Sequence, residues 1–350
     1  MSEAHRWLAL LAAEPRPAGG RAEGQARAHC AAHLALHGYT VAEWPFEYSS
    51  APGRLATPLV GLAWIVTIAA VGHLGAHGHP GWAAILLVAF ASILALGVRW
   101  VSRHGVLSLP VMRARGVNLV ATRGALPRVW LTAHLDSKSQ PIPILVRALG
   151  IMGTCLVWAI ALGLAVAGAR AWWIWVSLAG VVVGLPVVAS WVGAASPGAL
   201  DNASGVAAVL IAASRVGPSV PVGIVLTSAE ELGLAGARAC VRALPRVEGG
   251  AVLNCDGVDD SGYLRVMYSG ARPERVIRAC AGARPGRLPV GVLVDALAFS
   301  EAGWDAVTLS RGTLATWGRI HSTRDTADRL TGAGIDATAT TLATAARALA

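Results

Sequence analysis

The chain has 350 residues, enough for one large or two ordinary domains with a substantial core. An apolar fraction of 55%, a charged fraction of 14% and a mean hydropathy of +0.55 exceed what soluble globular proteins show, so membrane segments are expected. The net charge of +9 is almost all arginine, Lys138 being the only lysine; without a basic stripe interleaved with aromatics, finger spacing or a basic helix, it excludes nucleic acid as a partner and points to juxtamembrane charge.

Residues 1–30 contain charges throughout and no long apolar run, so they do not read as a signal peptide. Arg21 to His37 reads as a helix with Ala22, Ala26, Cys30 and Leu34 turned inward. His29, His33 and His37 recur every four residues on it, but Arg21 and Gln25 continue the row, which makes it a solvated face rather than a metal site. Tyr39 to Tyr48 alternates and reads as a strand. The five cysteines are odd in number and lack CxxC spacing, which suits small core residues in a reducing compartment.

Two pairs of apolar segments follow: Pro58 to Ala76 with Gly81 to Val98, and Ala148 to Ala169 with Ala171 to Ala195. Each approaches the ~20 residues that a bilayer core demands, which predicts two transmembrane hairpins and four spans. Trp82 and Trp100 bracket the second segment, and Trp172, Trp173 and Trp175 open the fourth, as interfacial belts do. Hairpins return to their starting side. The expected division is therefore one globular domain from residues 1–56, 100–143 and 196–350, with hairpins at 57–99 and 144–195. Residues 99–147 hold eight basic residues against Asp136 alone, and the positive-inside rule then puts the globular part in the cytoplasm, with the lipid bilayer as a partner.

Outside the hairpins, strands are predicted at 118–122, 129–133, 222–227, 251–256, 264–268, 290–293 and 306–309, and helices at 204–215, 233–244, 272–283 and 334–349. This alternation predicts an α/β fold with a mixed, largely parallel sheet flanked by helices, whose ligands sit beyond the carboxyl ends of its strands.

The polar motifs fall at those ends. His134 and Asp136 close an apolar run, and in an extended strand they point to one side, where a carboxylate can fix the tautomer of a ligating imidazole. Asp201-Asn202-Ala203-Ser204-Gly205 opens a helix, and Asp201, Asn202 and Ser204 all qualify as N-caps there. Glu230 and Glu231 follow a strand; adjacent carboxylates repel unless a cation separates them or one binds a proton, and one ligand plus one base resolves the tension. Asp256 before Gly257, and His321 four residues before Asp325, complete the set. His134, Asp201, Glu231, Asp256 and His321 offer oxygen and nitrogen without thiolate, which suits two zinc ions sharing a carboxylate.

The order HxD, DNxSG, Glu-Glu, strand-end Asp and HSxxD resembles the co-catalytic zinc aminopeptidases of metallopeptidase family twenty-eight, relatives of glutamate carboxypeptidase II and the glutaminyl cyclases. Arg16-Pro17-Ala18-Gly19 and the 300–306 loop extend the likeness over nearly all of the non-membrane chain. The resemblance implies that His134 and Asp256 hold one zinc, Glu231 and His321 the other, with Asp201 bridging. It further implies that Asp136 orients His134, that Glu230 is the general base, that the Asp201–Asn202 peptide is cis, and that the substrate is the N-terminus of a short peptide. Asp295-Ala296, where the family often has Asp-His, and Arg319-Ile320, where it often has aromatics, depart from the pattern at the substrate pocket. A single-zinc glutaminyl cyclase-like acyltransferase and a catalytically idle membrane scaffold or receptor are the alternatives; retention of His134, Asp256 and Glu230 favours the peptidase. Because two ligands bracket the second hairpin, the reach of an extended chain predicts less than ~20 Å between the ligands and the nearest span end. Oligomeric state and side-chain preference are not encoded in these motifs.

Overall fold

The computed structural model describes residues 2–245 and 247–350. Two compact units emerge. One contains the residues up to Ser49, Met112–Ser139 and Ala194–Ala350; the other contains Ser50–Val111 and Gln140–Gly193. The helical unit takes in more chain than the apolar segments alone, because its first helix already starts at Ala51 and its second runs on from Trp100 through a π turn to Ser108.

The first unit is built on an eight-stranded sheet ordered β1-β2-β4-β3-β5-β8-β6-β7. In chain order these are β1 Thr40–Ser49, β2 Arg113–Arg123, β3 Val129–His134, β4 Val222–Thr227, β5 Ala251–Val258, β6 Tyr263–Tyr268, β7 Arg284–Arg287 and β8 Asp305–Gly312. The central four, β4-β3-β5-β8, are parallel. β3 and β4 are buried at every position, as strands covered on both faces must be, and their sequences are accordingly continuous apolar runs.

Alternation sends neighbouring residues to opposite layers. Leu131, Ala133, Ile224, Leu226 and Leu253 join the layer shared with helices Ser204–Arg215 and Ala333–Leu349. Trp130, Val225 and Val252 join the other, with Ala237, Cys240 and Phe299. Gly223 has no side chain because the Trp130 ring occupies its place: a Cβ there would lie 2.2 Å from that ring.

Two elements differ from the sequence prediction. Residues 290–293 form a turn-rich loop with Val290 fully exposed, and the edge strand is instead Arg284–Arg287, recruited by parallel pairing to β6. The helix predicted over 272–283 is confined to Glu274–Ala279.

In the second unit, helices Ala51–Ala76, Pro80–Trp100, Ile144–Val166 and Trp173–Val188 pack around Trp64, Ile68, Leu87, Val157, Ala161 and Trp173. Among the described residues, three helices are long and apolar enough to cross a membrane; the fourth apolar segment contributes only the 16-residue helix Trp173–Val188. Contacts are close. A Cβ on Gly75 would lie 2.2 Å from the Trp173 ring, so only glycine fits there. Polar side chains inside the unit use backbone carbonyls: Trp64 Nε1 donates to Gly180 at 2.8 Å and Trp158 Nε1 to Leu87 at 3.1 Å. Large apolar side chains such as Val66, Ile93, Met152 and Val182 point outward.

Candidate metal centre

The carboxyl ends of the parallel strands bring the polar motifs together. His134 is the last residue of β3, Glu230 and Glu231 form a short turn just after β4, Asp256 lies near the end of β5, and His321 follows β8. Asp201 enters from the turn ahead of helix Ser204–Arg215.

Asp201 stands between the two imidazoles. Its Oδ1 is 3.1 Å from His134 Nε2 and its Oδ2 is 3.0 Å from His321 Nε2. Asp256 Oδ1 lies 3.6 Å from His134 Nε2, and Glu231 Oε1 lies 3.3 Å from His321 Nε2. Two groups with ligand atoms inside 4.8 Å result, His134–Asp201–Asp256 and Asp201–Glu231–His321, sharing Asp201. Glu230 Oε2 is 4.0 Å from His134 Nε2 and belongs to neither group.

Each of these side chains is held from behind. Backbone N–H groups of Leu200 and Asp201 donate to Asp325 at 2.6 and 3.1 Å, which turns the Asp201 carboxylate inward. The Asp201–Asn202 peptide is cis. Asn202 Nδ2 donates to the Cys255 carbonyl at 2.9 Å, while its Oδ1 accepts from Gly205 and Gly257. Ser204 Oγ accepts from Val258 N at 2.8 Å. Asn202 and Ser204 thereby lash the Asp201 turn to the exit of β5, where Asp256 sits. Of the three N-cap candidates, only Asn202 meets the first helical turn, through Gly205.

Asp136 has two tasks. Its carbonyl oxygen lies 2.9 Å from His134 Nδ1, fixing the ring so that Nε2 faces the other carboxylates; its carboxylate oxygen Oδ1 is farther from that nitrogen, at 3.6 Å. The carboxylate chiefly accepts from the backbone N–H groups of Glu230 and Glu231, at 3.0 and 3.1 Å, which sets the Glu-Glu turn against the end of β3.

Four contributors were not apparent as such from sequence. Arg16 is buried, and its guanidinium donates to the carbonyls of Leu11, Leu135, Pro197 and Gly198, joining the His134 loop to the Asp201 loop. Lys138 Nζ is 2.5 Å from Glu231 Oε2. Asp295, fully buried, accepts from Thr227 Oγ1, and burial lifts its carboxyl to about 7. Asp325, four residues beyond His321, backs the Asp201 loop and is lifted by burial to about 6. Asp325 carried a sequence signal in its spacing from His321, and Arg16 and Asp295 stood in stretches that resemble the family without showing these roles.

The protonation pattern is that of crowded anions around two bases. Burial holds Glu230 well above the usual carboxylate range, helped by Glu231, Asp256 and Asp295. Burial also raises Asp256, beside Asp201 and Glu231. Burial alone would raise Asp201 and lower His134, but the neighbours reverse both shifts: His134 and His321 hold Asp201 well below its ordinary value, and Glu230, Asp136, Asp201 and Asp256 hold His134 well above. Burial opposes the lowering of Glu231, which Lys138 and His321 bring about.

This donor set fits divalent zinc. Nitrogen and carboxylate oxygen are its ligands of choice alongside thiolate. Two donor atoms are buried without a hydrogen-bond partner, His134 Nε2 and Glu231 Oε1, each aimed at its own group, and buried polar atoms left unmatched by protein donors are what a cation satisfies. The histidines at 29, 33 and 37 are not part of either group; His33 instead packs edge-on against Trp7, with ring centroids 5.0 Å apart.

The fold is similar to that of an aminopeptidase from Aneurinibacillus sp. strain AM-1, at 16% identity and a TM-score of 0.57, covering 98% of this chain and 92% of that one. The zinc aminopeptidase BSAP from Bacillus subtilis gives 15% and 0.56 over 98% and 93% of the two chains. A glutaminyl cyclase from Fimbriiglobus ruber gives 14% and 0.56 over 99% and 94%. No curated protein matches the chain in sequence. The family model described as "Peptidase family M28" matches residues 118–346, a span that includes all five ligand candidates and Glu230, and the chain belongs to that family.

Proposed function

We propose that the chain is a membrane-anchored, zinc-dependent aminopeptidase that releases N-terminal residues from short peptides. The observation that carries this reading is the convergence of two histidines and three carboxylates into two donor groups joined by Asp201, with Glu230 alongside. In it, His134 and Asp256 would hold one zinc and Glu231 and His321 the other, with Asp201, common to both donor groups, available to each. When bound, the two ions supply Lewis-acid polarisation of the scissile carbonyl and make water acidic enough to deprotonate near neutral pH.

The chain's own groups do the rest. Glu230 accepts a proton from water on a carboxylate oxygen and returns it to the departing amine nitrogen. Its burial among other carboxylates raises its proton affinity, which suits a base that must hold a proton briefly. Asp136 keeps Glu230 in register by anchoring the backbone of the Glu-Glu turn. Its carbonyl beside His134 Nδ1 leaves Nε2 to act as a ligand.

The membrane assignment rests on the helical unit. Ser139 Oγ accepts from Ala195 N at 2.9 Å and Ser137 Oγ donates to the Ser196 carbonyl at 2.9 Å, so the chain leaves the peptidase unit and returns to it at one place. A helix pair that starts and ends on one side crosses twice or not at all. Ile144–Val166 is long and apolar enough to cross, and in this reading Trp173–Val188 crosses back. At ~1.5 Å per residue it reaches ~24 Å, short of a ~30 Å core, and Trp172 and Trp191 at its ends suit a locally thinned interface. The reading keeps four spans, and the arginines at 99, 103, 113, 115 and 147 support a cytoplasmic peptidase unit. A carboxy-terminal reporter fusion tests that side: fluorescence of a cytoplasm-only reporter is expected, and activity of a secreted-only reporter would reverse the orientation.

The glutaminyl cyclase among the similar folds keeps a second reading in view. The full-length protein in detergent, given leucyl and glutaminyl peptides, should hydrolyse the first. Cyclisation of the glutaminyl peptide with ammonia release, and no hydrolysis of either, would replace the peptidase reading.

A further inference from the structure

Lys138 is the chain's only lysine, and it lies at the metal centre rather than on the surface. Its ammonium is 2.5 Å from Glu231 Oε2, and only 16% of its side chain is accessible. The other oxygen of the same carboxylate, Oε1, lies 3.3 Å from His321 Nε2 and is buried without a hydrogen-bond partner. One oxygen of Glu231 is thus held by a cation and one is left facing the second donor group.

Resting on the two-zinc reading above, we infer that Lys138 makes the two metal positions unequal: it confines Glu231 to a single-oxygen ligand and weakens the His321 position relative to the His134 position. Charge carries the argument. Around His134 Nε2 stand three carboxylates, Asp201 at 3.1 Å, Asp256 at 3.6 Å and Glu230 at 4.0 Å, and Asp136 lies 3.6 Å from Nδ1. Among the described residues, the carboxylates within 4.0 Å of His321 Nε2 are Asp201 and Glu231, and Glu231 already shares its charge with an ammonium. A divalent ion on that side meets fewer anions and a fixed positive charge a few ångströms away. In a buried site, solvent ions screen such repulsion little, so it costs about tenfold or more in affinity.

The position has a functional consequence. The His134 position stays filled at low zinc, while occupancy of the His321 position, and with it the co-catalytic pair, follows the free zinc concentration. Lys138 is a positioning residue here, since it acts through Glu231.

Calorimetric titration of Zn²⁺ into the chelated full-length protein in detergent tests this without reference to turnover. Wild type is expected to show two binding events at least about tenfold apart. His321→Ala should remove the weaker event and Asp256→Ala the tighter one. Lys138→Met should tighten the weaker event and leave the other in place, whereas Lys138→Arg, which keeps the charge, should preserve the gap. Lys138→Gln provides a second neutral variant if the methionine variant does not fold. Two events of equal affinity in wild type, or a weaker event that neutral variants leave unchanged or loosen, would overturn the inference and leave the two-zinc reading intact. A single event in wild type and neutral variants alike would overturn the two-zinc reading itself.

Discussion

The two units bury opposite things. Residues 50–111 and 140–193 contain no aspartate or glutamate, so all twenty acidic residues lie in the peptidase unit. That unit encloses ionisable groups at the sheet's carboxyl edge and balances them with backbone N–H groups, with Arg16 and with Lys138. The helical unit encloses tryptophan, isoleucine and glycine, meets its few internal donors with backbone carbonyls, and turns apolar side chains outward as well. The candidate metal centre lies wholly in the first unit and the apolar outward faces in the second, a division that substitutions in either unit can test.

The largest effect is expected at Glu230. Glu230→Gln should cut peptide hydrolysis by ~10²–10⁴-fold, the usual worth of general acid-base help, with bound zinc unchanged. Steady-state kinetics alongside metal analysis would show it, and a variant with near-normal turnover would remove Glu230 from its role. Next comes Asp136→Asn, which replaces an acceptor of the Glu230 and Glu231 N–H groups by an amide that must turn one donor toward them. A loss of ~10–100-fold in activity or metal affinity is expected, the range found when support behind a metal ligand is removed. An unchanged zinc isotherm and unchanged turnover would show that backbone packing alone sets the turn.

In the helical unit, Gly75→Leu drives a side chain into the Trp173 ring and should destabilise that unit by ~1–3 kcal/mol. Thermal unfolding in detergent measures the loss. Zinc binding by the variant is expected to match wild type, and a changed isotherm would contradict the division of labour.

The last prediction concerns pH. Burial raises Glu23 to about 7 from 4.5, with Asp136 adding to the shift. A carboxyl raised in the folded state gives its full contribution below the unfolded value and loses it as pH climbs to the folded one. Stability should therefore fall between pH ~4.5 and ~7 by up to a few kcal/mol, and Glu23→Gln should flatten that slope. Parallel slopes for the two proteins in pH-dependent unfolding would remove Glu23 from the account.

What the sequence made legible follows the same division. His134, Asp201, Glu231 and Asp256 could be placed because each stands next to a strand or helix whose pattern is local, and a short continuous apolar run fixes where a buried strand ends. Arg16 was opaque in its role because its partners at Pro197 and Gly198 lie 181 and 182 residues away, across the second helical insertion. Lys138 looked like one more basic residue near the membrane until folding set it against Glu231. Strand β7 was hidden in Arg-Pro-Gly-Arg, which has no strand pattern and pairs only because β6 offers an edge. The apolar run at 290–293 misled in the opposite direction: Val292 packs against the core while Val290 does not, so the run lacks the two covered faces of a buried strand. The fourth apolar segment promised a full span on composition alone, yet the helix spans only Trp173–Val188.

The most direct test of the central claim is metal content measured together with aminopeptidase activity on the purified full-length protein, before and after exhaustive chelation and again after zinc is restored. Two zinc per chain, activity lost with the metal and regained with it, is the expected result; peptide hydrolysis that persists in fully chelated protein would contradict the account.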